Sequence, residues 1–484
     1  MKNYILTLLV IFTPNLFAVT IPSNATVMAP IISYLLSDTT PTASQNTGTL
    51  DTSFDADGIV ISDNPINPTV NEEYMSLYTE YGNDIAVDDA GNIYVVGVTK
   101  EVLAPVGNVP STFERMAIWK YNSDGVLDTT FGSDNGVAVY GYNDYLEQSE
   151  GNALVLDMSG NIYVTGFTSE PPGGANHQMS IWKFTNNGTL DANFSNNGVN
   201  IPAETNTSIS SSEGIDIVLD STNNIIVSGG IQLQSVLGNS MVLMKFYSNG
   251  NTYNSFGNNG MVTTTRETPA SPDSDIGNAV TVDSENNIYV TGWTRNADTL
   301  GITKNPIWKY DSNGSAVNSF DGDGLTILDI NFSYSFDIVL DDSHNIYVVG
   351  TSMGKMLLAK YDNNANIDIN FGTDGIVLSD IGISISSGKG ILVDKENNLF
   401  VCGAGDTDIS GDSEMVIWKY DTTTGTLDTT FDADGVVIHG EAAGGTNTSD
   451  GCEAIALDES GNIYVTGRSD NNDDNTDMVI WKYK

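Results

Sequence analysis

One unit of sequence occurs seven times between residue 49 and the end of the chain, and this repetition limits the fold more than any other feature. In each copy an Asp precedes an Asn by four residues, and an apolar run such as NIYVVG or NLFVCG follows at once. The Asp residues that mark the copies are Asp88, Asp157, Asp220, Asp283, Asp341, Asp394 and Asp458. A third run carries a Lys, at Lys120, Lys183, Lys245, Lys309, Lys360, Lys419 and Lys482. A fourth run carries a Phe, at Phe54, Phe131, Phe194, Phe256, Phe320, Phe371 and Phe431.

These runs predict strands. They are rich in Val, Ile, Tyr and Thr, and turns rich in Gly, Asn and Asp separate them without a helical period. Four short strands in each of seven copies predict an all-β fold, a seven-bladed β-propeller of four-stranded antiparallel blades. The last copy ends after its third strand, whereas an unmatched fourth strand, residues 49–61, precedes every other copy. We therefore expect the N-terminal strand to complete the last blade, because closure pairs the exposed strand edges.

Charge and the N-terminus bear on where the protein works. Acidic residues outnumber basic ones 62 to 18, a formal charge of −44, which disfavours binding to nucleic acids and to anionic membranes. Residues 1–18 contain Lys2, the apolar run YILTLLVIF and Ala18, the pattern of a signal peptide. Residues 19–47 are typical of a flexible lead-in to a propeller at 48–484. We expect an exported monomer, periplasmic, extracellular or at the cell surface, and no membrane insertion, because the apolar run is too short to span a bilayer.

The repeat resembles a known group. Runs such as GNIYVTG and IWKYNSDGVLDTTFG are similar to the repeats of the bacterial SBBP (seven-bladed β-propeller) and delta-60 repeat families. The resemblance covers residues 49–484. It implies an exported propeller and supplies no catalytic residues.

The lengths of the connections distinguish the two faces of the predicted propeller. The first hairpin spans four residues in every copy and the third-to-fourth connection eleven or twelve, so the face that carries both, the constant-turn face, is expected to be structural. On the opposite face, the variable-loop face, the intervals are 15–28 residues from Asn to Lys and 21–34 from Phe to the next Asp. Variable connections on one face of a repeat protein usually mark its binding surface.

Two groups of side chains on the variable-loop face are candidates for ligand binding. The aromatic group suits stacking on a sugar or gripping a peptide, or else packs its own long loops; it comprises Tyr74, Tyr78, Tyr81, Tyr142 and Tyr145, with Trp293 just past a second strand. The acidic group either binds Ca²⁺ through its oxygens or is a pair of solvated loops; it comprises Asp406, Asp408, Asp412, Glu414, Asp470, Asp473, Asp474 and Asp477.

Other acidic positions have structural alternatives. The turns DADG and DGDG lack the remaining oxygens and closing Glu of a calcium-binding EF-hand loop, so local turn chemistry explains them. Three Asp at matching places in alternate first strands either line a cation site near the axis or cap the strand starts; they are Asp84, Asp216 and Asp337.

The repeated Lys lies in a strand that should be buried, so its charge needs a partner. The fourth run offers one at a fixed offset in five copies, and Asn254 and Asn318 replace it in the other two; the five acids are Asp51, Asp128, Asp191, Asp368 and Asp428. Five Trp precede the Lys and should pack between blades: Trp119, Trp182, Trp308, Trp418 and Trp481.

The only two cysteines are predicted to lie on neighbouring blades. Cys402 ends the second strand of the sixth copy and Cys452 opens the first strand of the seventh, both towards the variable-loop face and the axis. An exported protein can oxidise such a pair if the Cα atoms come within about 7 Å. The alternative is two unlinked small buried residues.

Three kinds of function remain after these observations. We expect a secreted binding or interaction module for a glycan or a protein, and the alternatives are a propeller lyase or glycosidase and a passive structural component of the envelope. Sequence patterns give little support to the hypothesis of an enzyme. The three His (His177, His344, His439) fall at unrelated repeat positions, and no Gly-x-Ser-x-Gly elbow, zinc spacing or nucleotide loop occurs.

Overall fold

The chain divides into two units, Met1–Gln45 and Asn46–Lys484. The computed structural model describes residues 7–11, 16–20, 46–62, 79–106, 109–133, 135–140, 148–169, 176–202, 209–233, 238–264, 274–295, 302–379, 386–406, 412–444, 448–471 and 475–484. In the first unit, strand β1 (Thr7–Ile11) pairs antiparallel with β2 (Leu16–Thr20). The signal peptide and the lead-in stay predictions.

The second unit consists of seven four-stranded antiparallel sheets. The first of its strands in the chain is β3 (Ile59–Ser62). Blades 1 to 3 follow in order, with strands β4 (Glu80–Val87), β5 (Ile93–Val106), β6 (Val109–Tyr121), β7 (Val137–Val139), β8 (Gln148–Leu156), β9 (Ile162–Ser169), β10 (His177–Phe184), β11 (Val199–Asn200), β12 (Ile209–Leu219), β13 (Ile225–Leu233), β14 (Asn239–Phe246) and β15 (Met261–Thr263).

Blades 4 to 7 continue the pattern with strands β16 (Ser274–Val282), β17 (Ile288–Arg295), β18 (Thr303–Tyr310), β19 (Leu325–Leu328), β20 (Ser333–Leu340), β21 (Ile346–Ser352), β22 (Lys355–Tyr361), β23 (Ile376–Ser379), β24 (Ser386–Val393), β25 (Asn398–Gly405), β26 (Glu414–Asp421), β27 (Val436–His439), β28 (Asp450–Leu457), β29 (Ile463–Asp470) and β30 (Thr476–Tyr483). The first strand of every blade contacts the first strands of both neighbours, including β28 with β4, so the blades form a closed ring. The predicted seven-bladed propeller is confirmed.

The N-terminal strand closes the ring as predicted. Strand β3 pairs antiparallel with β30, from Ile59 opposite Trp481 to Ser62 opposite Met478. The amide of Thr47 also donates to the carbonyl of Lys484 at 2.7 Å. Blade 7 is therefore assembled from both ends of the propeller sequence.

The predicted extent of the fourth strands was wrong. Residues 49–61 were expected to form one strand, but apart from an isolated bridge at Leu50 only Ile59–Ser62 pairs with β30. Between them, Phe54 accepts a hydrogen bond from the amide of Gly58 at 2.7 Å, which closes a tight turn. The repeated Phe thus precedes the fourth strand. Its side chain packs in the core, as the burial of Phe54 and Phe131 shows.

The described core consists of seven apolar clusters, one between each pair of adjacent blades. The five predicted interblade Trp are confirmed: each is buried and packs against the preceding blade, as Trp119 does against Tyr464 and Ile480 of blade 7. In blades 3 and 5 the same position holds Met244 and Ala359. The core is therefore segmented, and adjacent blades share each segment.

The predicted partners of the repeated Lys are also confirmed. The ammonium–carboxylate distances are 3.0 to 3.5 Å in the five copies that have an Asp: Lys120–Asp128, Lys183–Asp191, Lys360–Asp368, Lys419–Asp428 and Lys482–Asp51. Where Asn254 replaces the Asp, Lys245 pairs instead with Asp220 at 2.9 Å. In the other exception, Lys309 donates to the carbonyl of Asn363 at 3.0 Å.

The first hairpin turn has the structural role expected of the constant-turn face. In blade 2, one carboxylate oxygen of Asp157 accepts the amides of Ser159 and Asn161 at 2.9 Å, and the other accepts the side-chain amide of Asn161 at 2.8 Å. The corresponding Asp makes similar bonds in the other six blades. A turn so fully hydrogen-bonded leaves no freedom in length.

Cys402 and Cys452 lie across the interface between blades 6 and 7. Their Cα atoms are 5.9 Å apart and their sulfur atoms are joined in a disulfide. The bridge links the middle of β25 to the beginning of β28 and is buried. Among the described residues, none lies in a helix that is long and apolar enough to cross a membrane.

Candidate ligand-binding site at the mouth of the axial channel

Every first strand contains a β-bulge at the same place, immediately after a Gly, Ser or Cys. A bulge leaves one residue unpaired and re-aims its side chain. All seven bulge residues line one cavity of about 330 Å³ on the axis of the ring, and they are Asn83, Asn152, Ile215, Asn278, Phe336, Lys389 and Glu453. The repeated bulge therefore builds the wall of an axial channel.

The residue after the bulge is an Asp in blades 1, 3 and 5. One oxygen of Asp84 accepts the amide of Ile85 in its own strand, and the other accepts the amide of Leu154 in blade 2, both at 2.8 Å. In the same way, hydrogen bonds to Asp216 connect blade 3 with blade 4, and hydrogen bonds to Asp337 connect blade 5 with blade 6. These carboxylates bridge neighbouring inner strands, a role that differs from capping a strand start.

Burial and mutual repulsion disfavour the charge on these three carboxylates. Burial raises the pKa of Asp84 to about 7 and that of Asp216 to about 6. Burial, and then repulsion from Asp216, raises the pKa of Asp337 well above its usual range. The channel is lined by six carboxylates and one ammonium, that of Lys389, which pairs with Glu453 at 3.0 Å. Even with Asp84, Asp216 and Asp337 protonated, carboxylates outnumber the one ammonium in the channel, so the potential on the axis is negative.

Two residues before the bulge residue, and nearer the variable-loop face, side chains of the first strands form the rim of the channel. On the side of blades 1 to 3 the rim is acidic: Glu150 accepts a hydrogen bond from Tyr81 at 3.4 Å and from Asn83 at 3.2 Å, and Glu213 accepts one from Asn152 at 2.9 Å. Burial, together with the nearby charge of Glu213, raises the pKa of Glu150 to about 7. Glu150 and Glu213 also line the cavity, so rim and channel are continuous.

On the side of blades 4 and 5 the rim is aromatic. The half-buried ring of Trp293 meets the ring of Tyr334 edge to face, with centroids 6.1 Å apart. Tyr334 is 36% exposed, which is unusual for a large aromatic side chain on an inner strand of this propeller. Below it, the ammonium of Lys389 lies 4.6 Å from the centroid of Phe336. We call Tyr81, Glu150, Glu213, Trp293 and Tyr334 the channel mouth.

The structure describes two of the six predicted aromatic site residues, Tyr81 and Trp293, and both lie at the channel mouth. The other four lie outside the described residues: Tyr74, Tyr78, Tyr142 and Tyr145. Sequence reasoning missed Glu150, Glu213 and Tyr334. Their shared signal is position, since each directly precedes the residue before the bulge, but their chemical types differ.

The predicted acidic group is only partly described. Asp406 is buried directly after β25, whereas Asp412, two residues before β26, and Glu414, its first residue, are half-buried. On the β29–β30 hairpin, Asp470 accepts a hydrogen bond from Thr476 at 2.8 Å and Asp477 one from Asn471 at 2.9 Å. The remaining members lie outside the described residues: Asp408, Asp473 and Asp474.

Calcium binding by this group stays a prediction. In the part of the chain that the structure describes, no three His, Cys, Asp or Glu side chains are arranged to hold a metal ion. Bound calcium would raise the free energy of unfolding by roughly 2.7 kcal/mol at a hundredfold excess over Kd. A melting temperature that is equal in millimolar Ca²⁺ and in EDTA would contradict a tight site.

Comparisons with known proteins agree with the fold. Residues 76–103, 265–298 and 443–473 match the β-propeller repeat family SBBP, and residues 91–131 match a β-propeller domain of unknown function, DUF5122. No curated protein is similar enough in sequence to count as a match.

Several solved structures are distantly similar to this chain. The polysaccharide lyase Uly1 is 10% identical with a TM-score of 0.41, covering 84% of this chain and 90% of the lyase. An α-L-arabinofuranosidase from Fusarium graminearum is 8% identical with a TM-score of 0.37, covering 88% and 96% of the two chains. The sialidase NanB from Streptococcus pneumoniae is 8% identical with a TM-score of 0.36, covering 88% and 71%. None of these likenesses bears on activity. The chain is thus a seven-bladed β-propeller, three segments of which match the SBBP β-propeller repeat and one of which matches the DUF5122 β-propeller domain.

Proposed function

We propose that this propeller is an exported binding module that holds a glycan or a protein segment at the channel mouth. The observation that carries the proposal is the pairing of an aromatic side, half-buried Trp293 and exposed Tyr334, with a hydrogen-bonded carboxylate side, Glu150 and Glu213, around one opening. Aromatic rings stack on the apolar faces of sugars or on side chains, and carboxylates fix hydroxyl or amine groups. The mouth also lies on the variable-loop face.

The charge of the channel limits the classes of ligand that this site would bind. Carboxylates outnumber the one ammonium in the channel, and the chain has a formal charge of −44, so anionic sugars and acidic peptides are repelled. Neutral sugars, amino sugars and basic peptide segments suit the same surface. The proposal therefore favours neutral or cationic ligands.

Binding screens with matched variants test this proposal. The purified protein is applied to an array of neutral, amino and acidic glycans and to a set of basic and acidic peptides. Trp293→Ala with Tyr334→Ala should weaken binding of any hit about thirtyfold, because two aromatic contacts of about 1 kcal/mol each sum to about 2 kcal/mol. The control is Tyr247→Ala, an exposed ring at the start of a third-to-fourth turn on the constant-turn face. Equal weakening by the control, or hits confined to acidic ligands, would contradict the proposal.

A glycoside hydrolase or lyase is the second candidate, and one observation favours it. Glu150, with its pKa raised to about 7, lies within the electrostatic reach of Glu213 in the same cavity. A protonated carboxyl beside an ionised one is the arrangement that general acid catalysis on a glycosidic bond requires. Release of reducing ends or unsaturated products from a bound oligosaccharide, abolished by Glu150→Gln, would identify an enzyme. Binding without products would support the module.

A further inference from the structure

One interface between blades differs from the others in the side chain that fills it. In five blades the residue before the repeated Lys is a Trp whose indole packs on the preceding blade. In two of these interfaces the indole meets a ring from the end of the preceding fourth strand: Trp182 meets Tyr140 at 5.5 Å and Trp481 meets His439 at 6.5 Å. In most interfaces between blades, an indole thus occupies the space beside the residue that precedes the repeated Lys.

Between blades 2 and 3 both partners are smaller. Met244 takes the place of the Trp, and Pro202, shortly after β11, takes the place of the ring that follows β7. A cavity of about 240 Å³ lies there, with a mostly apolar wall formed by Met179, Pro202, Ile209, Ile231, Met244 and Met261. The exposed side chains of Asn254 and Asn259 border it.

The other interface without a Trp is filled differently. Around Ala359 of blade 5, the larger side chains Leu328 and Ile330 of blade 4 belong to the shared core cluster. Leu328 ends β19, a strand of four residues, whereas β11 of blade 2 has two. The longer fourth strand supplies the missing apolar volume in blade 4, and the short one does not in blade 2.

From this contrast we propose that the cavity between blades 2 and 3 is a binding site for a small planar aromatic molecule of the size of indole. It lies beside Met244, at the position that a Trp indole occupies in five other interfaces. An apolar cavity of about 150 Å³ engineered into another protein suffices to bind benzene, so a larger one accepts two fused rings. Three of the six apolar residues that line the cavity are Met, whose flexible thioether side chains make favourable contacts with aromatic rings. Asn254 and Asn259 can bond a polar substituent at the opening.

The site is separate from the channel mouth. Its walls come from the second, third and fourth strands of blade 3 and the outer strands of blade 2, with Ile209 and Ser212 at the beginning of β12. The amide of Met179 donates to Ser212 at 2.9 Å, which fixes the wall between the two blades. Failure of either site to bind leaves the other proposal intact.

The test uses indole as the probe and the intact protein labelled with ¹³C at the Met methyl groups. Ring currents should shift the methyl signals of Met179, Met244 and Met261 in a saturable way and leave most of the 13 Met signals unmoved. Met244→Trp fills the cavity with the side chain of the other blades, so indole should no longer shift Met179 or Met261. Met244→Leu, a swap of similar volume that is usually tolerated, should keep binding within about threefold of the parent.

Several outcomes would overturn the proposal. They are no shift in the parent protein at millimolar indole, a shift spread over methionines far from the cavity, or unchanged binding in Met244→Trp. If Met244→Trp fails to fold, Met261→Phe provides a second way to reduce the cavity, and unchanged binding in that variant would count equally against the site.

Discussion

The repeated Lys shows how one residue can stabilise three parts of the propeller at once. The ammonium of Lys482 lies 3.5 Å from Asp51 of its own blade, donates to the carbonyl of Ser123 in blade 1 at 3.0 Å, and faces the rings of Phe54 and Tyr464. Lys360 and Lys245 make the same bond to a carbonyl of the next blade. A buried charge is tolerated only when it is paired and hydrogen-bonded, and this cage supplies both.

Asp220 allows the ion pair to be measured apart from the turn. Burial opposes its ionisation, but hydrogen bonds from Asn224 and Lys245 outweigh burial and lower its pKa to about 2. Relative to an unfolded pKa near 3.9, this shift contributes on the order of 2 kcal/mol at neutral pH, lost as the pH falls through about 4 to 2. Asp220→Asn should therefore lower the unfolding free energy by about that amount at pH 7 and by little near pH 2.

The matched control is Asp157→Asn. Asp157 forms the same turn in blade 2, but there Lys183 pairs with Asp191 instead. Urea unfolding of both variants across this pH range gives the comparison. Equal losses for the two variants would show that the turn, and not the ion pair, carries the effect.

The channel carboxylates predict the opposite dependence on pH. The folded-state pKa values of Glu150 and Asp84 are raised to about 7, so between about pH 4 and 7 the folded protein binds more protons than the unfolded chain. Stability should therefore fall as the pH rises through that window. Glu150→Gln removes one contributor and should flatten the slope and raise the melting temperature at about pH 8 relative to the parent. A parallel pH profile for the variant would contradict the raised pKa.

The first three strands of each blade could be predicted from the sequence, and the fourth only in part. Apolar runs and Gly, Asn and Asp turns mark where chain direction reverses, and seven copies reinforce each boundary. The turn around Phe54 was mistaken for strand because TLDTSF has the composition of a strand, and only the bond from Gly58 to Phe54 shows the reversal.

The channel mouth was predicted in part for a different reason. Aligning repeats reveals what the copies share, whereas the position two residues before the bulge residue holds Tyr81, Glu150, Glu213 and Tyr334 in different blades. Side chains that differ at one structural position are typical of a site that the ring assembles from several blades. Tyr81 was found through its place in a run of Tyr, and Trp293 through its departure from the repeat.

The disulfide between β25 and β28 joins blades 6 and 7, which no Asp bridge connects. An Asp bridges blades 1 to 2, 3 to 4 and 5 to 6, but the matching residue of blade 6 is Gly390, which has no carboxylate to reach the next blade. The disulfide of Cys402 with Cys452 and the ion pair of Lys389 with Glu453 lie at this interface instead.

Thiol titration checks the disulfide. The denatured, unreduced protein should show no free thiol, and reduction should lower the unfolding free energy by as much as about 4 kcal/mol, as the chain-entropy model gives for a loop of roughly fifty residues. The control is Cys402→Val with Cys452→Ser, the residues found at these positions in blade 5 as Val349 and Ser335. This variant should be indifferent to reductant. Two free thiols per parent chain would contradict the bridge.

The ring as a whole depends on its last blade. The Asp bridges join the blades in pairs, 1 with 2, 3 with 4 and 5 with 6, so blade 7 has no such bridge. Blade 7 also receives its outer strand from the other end of the sequence. Asp51 meets both Lys482 and Lys484, and Phe54 packs edge to face on Tyr464 at 6.1 Å. The contacts that hold β3 therefore hold the ring closed.

Two truncations separate this closure from the rest of the N-terminus. A chain that starts at Asn46 retains β3 and should melt at the temperature of the parent, because residues 1–45 form a unit of their own. A chain that starts after Ser62 loses β3 and the buried side chains of Phe54 and Val60, and it exposes the edge of β30. Burial of two such side chains contributes roughly 3–6 kcal/mol, so its melting temperature should fall by many degrees. Where the shorter chain cannot be purified, Phe54→Ala should cost about 3–5 kcal/mol in urea unfolding. A shorter chain that melts within a degree or two of the chain from Asn46 would show that β3 does not close the propeller.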